Sequence, residues 1–201
     1  MSTELLKAVA ASNEWWALGP EIIVACAALS LLVMEMVLPK KDHYAIPYFA
    51  LVALGMVLVT VGMYFHTGWH EQDLMFGGLI RITDASQTAR LFFLLSSLLV
   101  CFLATICLPR ARAPRVEFYH IVLVVTAALM LLAQANHFVM FFVALETVTI
   151  GFYILVSYYR ERSLSLEAGL KYLVLGALSS AILLFGIVLI YGAVGRVEVD
   201  G

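Results

Sequence analysis

Residues 137–158 read HFVMFFVALETVTIGFYILVSY, twenty-two positions with a single charged side chain, Glu146. An α-helix rises about 1.5 Å per residue, so about 20 such residues cross a hydrocarbon core of about 30 Å. The run is continuously apolar. A strand of a lipid-exposed barrel would alternate apolar and polar positions instead. Five further segments have the same character, at about 15–38, 44–65, 87–108, 117–134 and 166–194. The first starts at Trp15 or Glu21 and is stopped by Pro39-Lys40-Lys41, and the third is stopped by Pro109. The sixth is longer than one crossing, so it tilts or its ends protrude. The expected fold class is all-α: a polytopic membrane protein with six transmembrane helices in a single membrane domain.

Composition agrees with that reading. Of the 201 residues, 63% are hydrophobic and 13% charged, and the mean hydropathy is +0.99. A soluble domain is about 25% charged and needs that polar cover, and a disordered chain is poorer still in apolar residues. The formal net charge of −2 offers no basic field to nucleic acid. Cys26, Cys101 and Cys107 all lie in apolar runs without CxxC spacing, so they read as small hydrophobes. The sequence contains no phosphate-binding glycine loop, Cys/His metal cluster, HExxH or hydrolase triad. Any redox cofactor is therefore expected in another chain.

Most connections are short, and the fourth and fifth spans are joined by only Gln134-Ala135-Asn136, a tight antiparallel turn. The exception is 66–86, where Gly68, Gly77, Gly78, Asp73 and Asp84 leave room for a small hairpin or interfacial turn. Lys40, Lys41, Arg110, Arg112, Arg115, Arg160 and Arg162 lie on one side, and Lys7, Arg81, Arg90 and Arg196 on the other. This bias puts the basic loops in the cytoplasm and both termini outside. Trp15, Trp16, Tyr44, Tyr48, Tyr64, Trp69, Tyr158 and Tyr159 fall at span ends and read as an aromatic belt.

Charge inside a span is costly and marks candidate function. Glu146 is nine residues into the fifth span, ~13.5 Å along it and close to the midplane. A carboxyl there is neutral, water-solvated or paired with a cation from another helix. Two roles fit it: a hydrogen-bonded packing residue, or a proton-carrying or ion-coupling group. Lys171 sits about five residues into the sixth span, four after Glu167, so the two can pair on one helix face. Its roles are a snorkelling or locally paired lysine, or a buried proton shuttle whose natural partner is Glu146, one hairpin away. Glu35 reads as an interfacial partner of Lys40 and Lys41. His120 and His137 read as interfacial hydrogen-bonding residues, with a relay role as the alternative. The small residues Gly176, Ala177, Ser179, Ser180, Ala181 and Gly186 would allow close helix contacts.

The stretch 166–180, LEAGLKYLVLGALSS, continuing to Gly186 and to Ile190-Tyr191-Gly192-Ala193, resembles subunit N of bacterial NADH-quinone oxidoreductase (complex I). Phe142-Val143-Ala144-Leu145-Glu146, the polar exit Tyr158-Tyr159-Arg160 and the pair Pro20-Glu21 fit the same family. The resemblance implies an antiporter-like membrane-arm subunit that couples electron transfer from NADH to quinone to proton translocation. It assigns proton translocation to Glu146 and Lys171. It also implies a bacterial inner-membrane location, contact with lipid and with other membrane-arm subunits, and no role for nucleic acid. NADH, FMN, iron–sulfur clusters and quinone are then expected in partner subunits. The family fold has roughly fourteen helices. The 201 residues therefore read as its amino-terminal six-helix portion, without the seventh-span lysine and later axis lysines. A multi-subunit cation/proton antiporter subunit and a non-catalytic scaffold element are the alternatives.

Overall fold

The computed structural model describes residues 15–38, 45–66, 72–111 and 116–195. Its helices are α1 (Gly19–Val37), α2 (Ala45–His66), α3 (Asp84–Ala111), α4 (Val116–Ala133), α5 (Phe138–Val156) and α6 (Ser163–Val194), and a 3-10 turn, Trp15–Leu18, leads into α1. All six are long and apolar enough to cross a membrane, so the chain is a multi-pass membrane protein. Lys7, Lys40, Lys41, Arg112, Arg115, Arg196, Tyr44 and Trp69 lie outside the described residues.

Local chemistry moves some helix ends away from the apolar runs. Thr83 and Ser86 cap α3 reciprocally: Ser86 N–H donates to Thr83 Oγ1 (3.1 Å) and Thr83 N–H to Ser86 Oγ (2.9 Å). The helix thus begins three residues before the expected Gln87. It also runs past Pro109 to Ala111, so the proline does not end it where expected. At the start of α5 the Val139 N–H donates to His137 Nδ1 (3.2 Å), making His137 a cap. Gly195, at φ 71°, closes α6 in the left-handed conformation, its N–H bonded to Tyr191 O.

The one long connection holds a hairpin, β1 (Gln72–Met75) with β2 (Ile80–Ile82), antiparallel and irregular between its two paired positions. Its turn places Phe76, Gly77 and Gly78 all at positive φ. For Phe76 this is unfavourable, and its ring is held edge-on to Trp15 at 5.4 Å. The hairpin docks on the α4–α5 turn: Arg81 N–H donates to Gln134 O and Asn136 N–H to Leu79 O, both at 2.9 Å.

Helices α1 to α4 share one core. Val24, Ala28 and Leu31 of α1 are buried at helical spacing. They join Leu54 and Val57 of α2, Leu94 and Cys101 of α3, and Tyr119, Leu123 and Met130 of α4. Helix α5 packs outside this bundle on α4, through Ala144, Val148 and Gly151. The fit is close: a Cβ on Gly151 would lie 2.2 Å from Val125 Cγ2. Helix α6 packs in turn on α5. Its partly or fully buried positions are Ser165, Gly169, Gly176, Ser180, Leu183, Gly186 and Ile187, one seam at spacings of three, four and seven. The stripe of small residues therefore divides. Gly176 and Ser180 face the seam, Gly186 lies on the same side but a Cβ there would meet nothing within 4 Å, and Ala177, Ser179 and Ala181 are exposed.

Candidate functional site

Glu146 lies eight residues after the start of α5, ~12 Å along a helix of ~28 Å, within ~2 Å of its middle. The α4-facing side of α5 is marked by Ala144, Val148 and Gly151. At about 100° per residue Glu146 points to the opposite side. It is half-buried. Its Oε1 is shielded from solvent and has no hydrogen-bond partner among the described residues. The depth expected from counting residues holds, and the cation partner is missing from the described residues.

Lys171 does not supply that partner. Its Nζ donates to Glu167 Oε1 at 2.5 Å, and both side chains are largely exposed. The i, i+4 pairing read from the sequence forms, and the pairing with Glu146 does not. The reason is position. Gly169 sits level with Ser157, since a Cβ there would meet Ser157 Cβ at 2.6 Å. From that level, Lys171 is ~3 Å into the bundle and Glu146 ~16 Å, about 13 Å apart along the axes. Lys171 also points about 200° around α6 from the seam glycine. Helix α6 begins three residues earlier than expected. It overhangs a 30 Å core by ~9 Å at each end if centred, which puts Lys171 near the hydrocarbon boundary.

A second polar cluster escaped the sequence reading. Arg90 and Glu21 are 1% and 3% exposed, and Arg90 Nη2 meets Glu21 Oε2 at 2.7 Å. Gln134 Nε2 donates to the other carboxylate oxygen at 2.6 Å, and Arg90 also donates to Gln87 Oε1 and to Ala17 O. Three helices, α1, α3 and α4, are thus tied at one end. Buried arginine and carboxylate satisfy each other only with this geometry, and removing one partner costs about 3–5 kcal/mol. Arg90 looked terminal because the capping box hid one turn of α3. The available signal was opposite charges in two spans on the same side of the membrane, with Gln134 ending a third.

Several of the remaining polar residues have structural partners. His120 Nδ1–H donates to Ala28 O at 2.8 Å, tying α4 to α1. Ser97 and Thr126 share a buried hydroxyl contact of 2.6 Å between α3 and α4. Glu35 is exposed, and its expected partners Lys40 and Lys41 lie outside the described residues. Beyond α5, Arg160 pairs with Glu117 at 3.3 Å. Burial, with Glu117 nearby, pushes the Tyr158 phenol up to about 12. Among the described residues no group of His, Cys, Asp and Glu could hold a metal ion. The three cysteines are free.

Residues 135–201, which include Glu146 and Lys171, match a family described as "NADH:quinone oxidoreductase/Mrp antiporter, TM". The whole chain is 55% identical over 201 residues to NADH-quinone oxidoreductase subunit N 1 of Opitutus terrae, covering 40% of that protein. It is 33% identical over 190 residues to subunit N 2 of Syntrophobacter fumaroxidans, covering 93% of this chain and 39% of that one. In three dimensions it matches a chain of respiratory complex I from Thermus thermophilus with a TM-score of 0.74 at 28% identity, covering 90% of this chain and 38% of the other. The chain spans about two-fifths of the length of the relatives it matches. Over the stretch it spans, the chain is similar to subunit N of NADH-quinone oxidoreductase, and its residues 135–201 to the antiporter-like membrane subunits of that family.

Proposed function

We propose that this chain is part of the membrane arm of a bacterial, proton-translocating NADH:quinone oxidoreductase, and that Glu146 carries a proton at mid-membrane. The observation that carries this reading is a lone carboxyl near the middle of α5, with one buried oxygen that no described residue satisfies. Such a group is stable in apolar surroundings only as the acid or against water or a cation. Similarity to the Opitutus and Thermus proteins supports the assignment to that enzyme. NADH, FMN, iron–sulfur clusters and quinone belong to partner subunits on this reading, and the inner membrane is the compartment.

Lys171 acts on Glu146 at a distance. At ~15 Å and an effective dielectric of ~20, a lone ammonium biases the carboxyl by only about 1 kcal/mol. The ion pair with Glu167 cancels most of that. Opening the pair, under the influence of a neighbouring subunit, turns the bias on and favours release of the Glu146 proton. The pair is the control and Glu146 the carrier.

The test is Glu146→Gln and Lys171→Ala in the assembled complex, measuring NADH oxidation and proton uptake into vesicles. Glu146→Gln is expected to remove most proton translocation, and Lys171→Ala to reduce it by a few-fold. Intact translocation in both would overturn the site. The matched family also spans Mrp-type antiporters. Purification of this chain without any redox subunit, from membranes that exchange cations for protons, would favour that second reading.

A further inference from the structure

We propose that Ser180 is a positioning residue for Glu146: its hydroxyl donates directly to the carboxylate that forms when the Glu146 proton leaves. The inference rests on the reading of Glu146 as a proton carrier. Depth, direction and a hydroxyl without a partner carry it.

Depth follows from the contact that sets Gly169 level with Ser157. Glu146 lies eleven residues before Ser157, and Ser180 lies eleven residues after Gly169. A second contact fixes the relative direction of the helices. The side chain of Tyr153, four residues before Ser157, leans toward the start of α5 and brings its hydroxyl against Gly176, seven residues after Gly169. The helices are therefore antiparallel. At ~1.5 Å per residue Glu146 and Ser180 both sit ~16 Å from the Ser157 level. Ile187, seven residues beyond Ser180, is buried, and α5 is the helix on which α6 packs. The two helices are thus still in contact at the depth of Ser180.

Direction follows from helical phase. Glu146 and Tyr153 are seven residues apart, which turns a helix to within about 20° of the starting direction. Tyr153 faces α6, where its ring meets Tyr172 edge-on at 5.2 Å. Glu146 therefore faces α6 as well, on the side away from Ala144, Val148 and Gly151. On α6, Ser180 is within about 40° of both seam glycines, Gly169 and Gly176, and is half-buried.

A helical serine commonly donates to the carbonyl four residues back. Ser179 does so, to Leu175 O at 3.0 Å, and Ser165 donates to Val156 O at 2.9 Å. The Ser180 hydroxyl has no partner among the described residues. Close packing calls for a small side chain here and not for an oxygen, since alanine is smaller still. Across the seam, Glu146 Oε1 is also without a partner among the described residues.

In the described conformation the two residues are not bonded to each other. A serine redirects its hydroxyl by a turn about χ1 between staggered wells. A carboxylate in apolar surroundings needs a donor, and a hydrogen bond to a charged acceptor is about twice as strong as a neutral one. Ser180 supplies that donor at the moment the charge appears. It keeps its own proton throughout, and the proton released by Glu146 leaves along the translocation path.

The experiment compares Ser180→Ala, Ser180→Cys and Glu146→Gln in the complex as it assembles in native membranes. Readouts are the rate of proton translocation and the infrared difference spectrum on addition of NADH, in which the acid and carboxylate bands lost in Glu146→Gln are those of Glu146. Ser180→Ala is expected to slow translocation by about tenfold or more, to shift the carboxylate band and to enlarge the share of the acid band. If Glu146→Gln removes translocation while Ser180→Ala leaves the rate and both bands unchanged, the positioning role is overturned and the carrier stands. A slower rate with both bands unmoved also overturns it, since the loss is then one of packing. If Glu146→Gln itself has no effect on translocation, the carrier falls and the positioning role with it. Should Ser180→Ala fail to assemble, Ser180→Cys decides, because a thiol is nearly the size of the hydroxyl and only a weak donor: an unchanged rate and unchanged bands overturn the role.

Discussion

Two polar sites in this bundle are built in opposite ways. At one end of α1, α3 and α4, Glu21 has both carboxylate oxygens bonded, one to Arg90 and one to Gln134. At the middle of α5, Glu146 has an oxygen with no partner among the described residues, and Tyr153 on the same face has none. Both sites place a carboxyl in an apolar bundle. The first carboxyl has a fixed partner on each oxygen, so it holds helices together. The second lacks such a lock among the described residues and lies on the side of α5 away from α4. A buried charge that is fully answered serves cohesion, whereas one left unanswered is available for transfer.

The contrast can be broken most sharply at Arg90. Arg90→Ala should destabilise the bundle by about 3–5 kcal/mol, read as a lower melting temperature in detergent and less assembled complex. Replacing both partners, Glu21→Gln with Arg90→Met, should recover part of that loss. If Arg90→Ala is as stable as the unaltered protein, the clamp is not structural. Gly176→Ala comes next, at about 1–3 kcal/mol, because a methyl group must displace Tyr153. A thermal shift below the error of the assay would show that α6 is free to move away.

His137→Ala should cost about 1 kcal/mol through loss of the α5 cap, and His137→Asn should restore most of it. Lys171→Ala should have the smallest effect on stability, about 0.5 kcal/mol or less, since its pair is exposed. Glu146→Leu sharpens the comparison from the other side: the melting temperature should hold or rise while proton translocation is lost. A large destabilisation by Glu146→Leu would mean that the carboxyl is a structural partner like Glu21.

Depth was legible in the sequence. Continuous apolar runs located the six helices, and counting residues put Glu146 at mid-span, where the structure has it. The i, i+4 pair of Glu167 and Lys171 was legible too, because both residues share one helix. Helix ends were less so. The Thr83/Ser86 box adds a turn to α3 that polar residues conceal, and this made Arg90 look interfacial. The turn at 66–86 could be expected to bend, but its docking on Gln134 and Asn136 required a partner distant in sequence.

What the sequence by itself determined, then, is how far along a helix each charge sits, since the rise per residue is constant. Which way the charge faces was decided only by tertiary structure. In a soluble helix the apolar stripe marks the buried face. Here lipid and protein interior are equally apolar, so the residues around each helix carry almost no such contrast. Close approaches at Gly151, Gly169 and Gly176 set the rotation of α5 and α6 instead. That rotation turns Glu146 and Tyr153 together toward the side of α6 and turns Lys171 away from them, while the separate packing of α1, α3 and α4 brings Arg90 onto Glu21.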